Sequence, residues 1–163
     1  MQLIQHMTRE EKFMQEAISL SRKGLMNNEG GPFGCVIVKD DIIVGRGNNC
    51  VTSENDPTAH AEVVAIRDAC HNLGTFQLEG CEIFTSCEPC PMCLGAIYWA
   101  RPRVVYFANS RKDAADIGFD DSMIYDEMVT DLDKRKIPII SLKSEEALQI
   151  FKEWENKADK KTY

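Results

Sequence analysis

The strongest constraint on the fold is the order in which short apolar runs and helical stretches alternate. "CVIVKDDIIVG" (35–45) holds two β-branched runs around Lys39-Asp40-Asp41, which predicts a hairpin. "CEIFTS" (81–86), "RVVYFA" (103–108) and "IPIISL" (137–142) read as three further strands, for five in all. Helical spacing lies between and around them. Phe13, Ala17, Leu20 and Met26 mark a first helix over 8–28, with Thr8 as N-cap and Glu11 three residues on. Val63, Ile66, Ala69 and Leu73 mark a second helix after Asp56-Pro57-Thr58, and Pro91 suits the first position of a third. Ser144 opens a last amphipathic helix carrying Leu148, Phe151 and Trp154. A hairpin followed by alternating strand and helix predicts an α/β three-layer αβα sandwich around a mixed sheet. At 163 residues, with 44% hydrophobic content and no linker, the chain reads as a single domain over 1–163.

The chemistry-bearing segments both fall at helix starts. "DPTAHAE" supplies His60 and Glu62, and "SCEPCPMC" supplies Cys90 and Cys93. One imidazole and two thiolates suit Zn²⁺ and leave its fourth tetrahedral position for water. Helix N-termini favour thiolates through the dipole and the unpaired N–H groups. Glu62 supplies what a closed structural site lacks, a carboxylate able to move a proton. Two other readings stay open on spacing alone: a closed site of Cys87, Cys90, Cys93 and His60, and a Cys-x-x-Cys redox pair. Cys35, Cys50, Cys70 and Cys81 read as small buried apolar residues, and His6 and His71 as structural or surface ones.

Composition narrows the partners. The formal net charge of −7 argues against a nucleic-acid partner, because a polyanion binder carries a basic face. No run of about 18 apolar residues is present to span a membrane, and the first residues lack the apolar core of a secretory leader. Seven cysteines, an odd number, predict reduced thiols and a cytoplasmic setting. The charged stretch 126–136, "DEMVTDLDKRK", takes no assignment.

"HAE" at 60–62 followed by "PCPMC" at 89–93 resembles the signature of the cytidine-deaminase-like zinc deaminases. "GGPFG", "NDPTAHAE", "TSCEPCPMCLGAIYWARP", "GFDDS" and the terminal "KKTY" are similar to the guanine-specific branch of that family. The resemblance implies an αβα sandwich with a five-stranded mixed sheet. It further implies one zinc per subunit, held by His60, Cys90 and Cys93 with a bound catalytic water. Glu62 would shuttle protons and Asp121 would act as a second carboxylate near the exocyclic amine. Phe33, Asn49, Ala61, Trp99 and Tyr163 would line the substrate pocket. The implied reaction is hydrolytic deamination of guanine to xanthine and ammonia, a step of purine catabolism. The implied assembly is a homodimer that exchanges its C-terminal segment (about 143–163). Guanosine or tRNA adenosine deamination within the same family, or a non-catalytic zinc-binding module, are the alternatives.

Overall fold

The computed structural model describes residues 7–163; His6 therefore lies outside the described residues. Helix α1 (Arg9–Met26) begins where the capping pattern places it. The Thr8 hydroxyl accepts from the Glu11 N–H, and the Thr8 N–H donates to the Glu11 carboxylate at 2.7 Å. Such a reciprocal cap is worth about 1 kcal/mol.

The hairpin forms as β1 (Gly34–Lys39) and β2 (Ile42–Asn48), turned by Asp40 and Asp41 at φ 49° and 64°. Both central residues in the left-handed region match the twist that a two-residue hairpin turn requires. A short helix α2 (Val51–Glu54) leads to α3 (Ala61–Leu73). Strand β3 (Glu82–Cys87), helix α4 (Pro91–Ala100), strand β4 (Val104–Asn109) and helix α5 (Arg111–Asp116) follow. The sheet order is β2-β1-β3-β4, with β1 antiparallel to both neighbours and β3 parallel to β4.

Period-2 alternation sends the strands' side chains to two cores, which gives the expected αβα layering. Val36, Val38 and Phe84 meet Phe13, Met14 and Leu20 on the α1 face. Cys35, Ile37 and Ile83 meet Ala61, Ala65 and Ala69 of α3, with Ile97 and Ala100 of α4, on the other. The small side chains of α3 bring its backbone close to β2. A Cβ on Gly47 would stand 2.3 Å from the Ala61 carbonyl oxygen, so this approach tolerates only glycine. The start of α3, where His60 and Glu62 sit, is thereby seated on the sheet.

The sheet has four strands, and the expected fifth, residues 137–142, does not form. The run joins no ladder among the described residues, and Ile137, Ile140 and Leu142 are exposed. An apolar β-branched run becomes a strand only when an edge pairs with it, and that pairing is not encoded in the run itself. By contacts the chain forms two compact units, one ending at Asp121 and one spanning Ser122–Tyr163. The second holds α6 (Ser122–Val129), a 3-10 turn (Leu132–Lys134) and α7 (Glu145–Asn156), the last capped by Ser144 as its sequence predicts. The charged stretch 126–136 spans the end of α6 and this turn, where Arg135 closes the helix by donating to the Thr130 carbonyl at 3.0 Å.

Candidate active site

The α2–α3 and β3–α4 connections bring the functional side chains together. Asp56 organises the approach to α3, its Oδ1 accepting from both the N–H and the hydroxyl of Thr58 at 2.7 Å. His60 is then the N-cap of α3, with Ala61 and Glu62 in its first turn, and Ala61 is fully buried. Cys90 is the N-cap of α4, Pro91 follows at the first helical position, and Cys93 lies at the third. Side chains at an N-cap and at the third helical position converge over the same exposed amide groups. This local geometry turns both sulfurs toward one point.

His60 Nδ1 lies 3.5 Å from the Sγ of Cys90 and 3.5 Å from that of Cys93. The three donor atoms all fall within 4.8 Å of one another. A tetrahedral zinc bonded at its usual lengths to sulfur and nitrogen separates those two atoms by about 3.5 Å. The donor set therefore fits a zinc ion in both chemistry and spacing. Cys87 stands apart from it: its Sγ points to the Ser110 carbonyl at 3.7 Å, and burial pushes its thiol up to about 11. Both facts disfavour the closed four-ligand reading. The Cys-x-x-Cys redox reading leaves His60 unexplained, whereas here its ring nitrogen is equidistant from the two sulfurs.

Charge within the set is shared through these contacts. The hydrogen bond from Cys93, then that with His60, holds Cys90 down at about 4 against its burial. The same bond, with burial, pushes Cys93 up. Bonding to Cys90 raises His60. Burial likewise raises Glu62, which is only 6% exposed and accepts from the Thr85 hydroxyl at 3.0 Å through Oε1. A buried carboxyl beside a three-donor metal set is an arrangement suited to taking up and releasing a proton.

The other predicted residues divide. Asn49 is buried, and its Oδ1 accepts from the N–H groups of Gly31 and Val51, both at 3.2 Å. Its amide NH₂ is thus turned away from those donors and presents hydrogen-bond donors only. A Cβ on Gly30 would lie 2.1 Å from that Oδ1, so glycine is required beneath the Asn49 seat. Phe33 packs on the α3 face of the core and meets Phe119 edge-to-face, with centroids 4.9 Å apart at 87°. Asp121 is raised first by burial and next by the charge of Cys90. Trp99 sits on α4 about 120° round from Cys93 and is 63% exposed. Tyr163 belongs to the second unit and is exposed. Sequence reading missed Phe119 and Thr85. Only the "GFDDS" and "TSCEP" contexts signalled them, and neither context names a partner.

The cysteines outside the set are all free thiols. Cys35 and Cys81 are buried as expected, while Cys50 and Cys70 are half-buried. No helix among the described residues is long and apolar enough to cross a membrane.

Residues 7–109 match the family model described as the cytidine and deoxycytidylate deaminase zinc-binding region, and the chain belongs to this family of zinc-binding deaminases. Within it, the chain is 54% identical over 153 residues to the guanine deaminase of Bacillus subtilis (strain 168), covering 94% of this chain and 98% of the relative. An X-ray structure of guanine deaminase from Bacillus subtilis, also 54% identical, superposes with a TM-score of 0.91 over 94% of this chain and 98% of that one. A tRNA-specific adenosine deaminase of Streptococcus pyogenes is 46% identical over 101 residues, which is 61% of this chain and 63% of the relative.

Proposed function

We propose that the chain catalyses the hydrolytic deamination of guanine to xanthine and ammonia, with Glu62 as the proton carrier. The observation that carries this reading is the buried Glu62 beside the His60, Cys90 and Cys93 donor set. The near full-length likeness to the Bacillus guanine deaminase supports guanine as the substrate. One zinc per subunit, when held by those three residues, supplies a water acidic enough to attack at neutral pH.

The chain's own residues supply the remainder. Asn49 donates to an acceptor on the purine edge, and Phe33, its ring held by Phe119, stacks against the flat base. Glu62 takes a proton from the attacking water as the new C–O bond forms at carbon 2, and passes it to the adjacent ring nitrogen. Glu62 then takes the second proton from the new hydroxyl and delivers it to the amino group, which leaves as ammonia. Asp121 holds the departing amine. Water and guanine thus account for every atom of xanthine and ammonia.

The net charge of −7 and the shorter match to the tRNA-specific relative disfavour a tRNA substrate. The seven free thiols support a reducing, cytoplasmic setting. We read the assembly as a homodimer exchanging residues of about 143–163. The exposed Trp99, Phe151, Trp154 and Tyr163 support this, since exposed aromatics concentrate at interfaces. Light scattering should then return twice the 18.4 kDa chain mass; a monomer at micromolar concentration removes the dimer.

Substrate choice is tested by ammonia release from guanine, guanosine, adenine, cytosine and cytidine with zinc-loaded protein. Guanine should lead every other compound in kcat/KM. Guanosine above guanine would replace the substrate, and release from none would leave a zinc-binding module.

A further inference from the structure

The end of β3 carries two adjacent buried hydroxyls that face opposite ways. Thr85 is 1% exposed and Ser86 5%. Strand alternation puts Thr85 on the face of Ile83, toward α3, and Ser86 on the face of Phe84, toward α1. The Ser86 hydroxyl accepts from the Gly34 N–H at 3.0 Å, one residue beyond Phe33. The Thr85 hydroxyl donates to Glu62 Oε1 at 3.0 Å, and both partners are sealed from solvent.

A buried hydroxyl needs a partner, and leaving one unmet costs about 1–3 kcal/mol. That need accounts for a hydrogen bond but not for its destination, a buried carboxylate beside the metal set. Thr85 is also an unusually fixed donor. Its backbone is paired on both sides, with Cys35 in β1 and with Phe107 in β4. Its β-branch restricts χ1, so the hydroxyl has little freedom to follow a swinging carboxylate. The bond is moreover compatible with both states of Glu62. A carboxylate oxygen accepts from Thr85, and so does the carbonyl oxygen of the protonated acid. Nothing at Oε1 has to rearrange as a proton arrives at or leaves Oε2, and preorganised polar contacts of this kind lower the reorganisation cost of proton transfer.

We propose that Thr85 is a positioning residue for Glu62: its hydroxyl fixes Oε1 and so assigns Oε2 as the oxygen that carries the proton between water and purine. The proposal rests on the proton-carrier reading of Glu62 given above. Its effect falls on the chemical step and not on substrate or metal binding.

Thr85→Val keeps the shape and removes the donor. Its kcat should fall about 10- to 100-fold, the range seen when an outer contact that orients a site residue is lost. KM should stay within about threefold and zinc content should not change. Thr85→Ser restores the hydroxyl and should recover most of the kcat; the remaining shortfall would report the looser χ1. Thr85→Ala gives the same comparison against Ser if the Val variant does not fold. All rates are measured on whichever amino-heterocycle the wild-type protein deaminates. An inert guanine with another active substrate therefore overturns the substrate assignment alone, and Thr85 is still tested. A kcat for Thr85→Val within twofold of wild type overturns the proposal, even with a lowered Tm. So does a Ser variant as slow as the Val variant while zinc content and Tm are normal.

Discussion

Glu62→Gln should reduce kcat by about 10³- to 10⁴-fold while the protein keeps its zinc and its fold. Glutamine is close to glutamate in shape, and its carbonyl oxygen still accepts from the Thr85 hydroxyl that now bonds Oε1 at 3.0 Å. It cannot carry a proton, however, and both transfers in the proposed cycle pass through this one side chain. The proposed ligands His60, Cys90 and Cys93 are untouched, so the donor set with its 3.5 Å spacings remains. The check is a pair of measurements on one preparation, zinc content and guanine turnover. Near-normal turnover with zinc bound would remove Glu62 from the chemistry.

Cys90→Ser should abolish stable zinc binding, whereas Cys87→Ser should retain it. Cys90 is held as a thiolate at about 4 beside His60, and thiolate is the form that binds zinc. Serine in its place offers a hydroxyl that stays protonated and binds far more weakly, so affinity should drop by at least about 100-fold. Cys87 is protonated, buried and turned to the Ser110 carbonyl, so its loss changes only packing. Both variants should fold, because a domain of this length buries enough of its unfolded surface to need no metal to hold it together. Metal analysis after dialysis against a weak chelator reads the outcome. Zinc lost from Cys87→Ser and kept by Cys90→Ser would show that the other pair of cysteines holds it.

Local signals carried much of the structure. Thr8 with Glu11, Asp40-Asp41 between β-branched runs, Pro91 and Ser144 each fix an element boundary through chemistry within a few residues. The metal set was legible for a related reason. His60, Cys90 and Cys93 occupy helix starts, and N-cap geometry converts sequence spacing into convergence at one point. What stayed hidden depends on partners distant in sequence. Thr85 reads as an ordinary strand residue until β3 and α3 are packed, when it proves to face Glu62 across 23 positions. Phe119 lies in a loop and acquires meaning only against the ring of Phe33. Residues 137–142 fail as a strand for the converse reason, since their composition invites pairing but no edge is assigned to them by the run alone. Trp99 is tied to the pocket only by the family resemblance, and its position round α4 leaves it exposed.

The most direct measurement is product formation from guanine by the zinc-loaded wild-type chain, with xanthine and ammonia quantified together. The site described here predicts one xanthine and one ammonia for each guanine consumed, both lost in Glu62→Gln. Guanine recovered unchanged from fully zinc-loaded protein would contradict it.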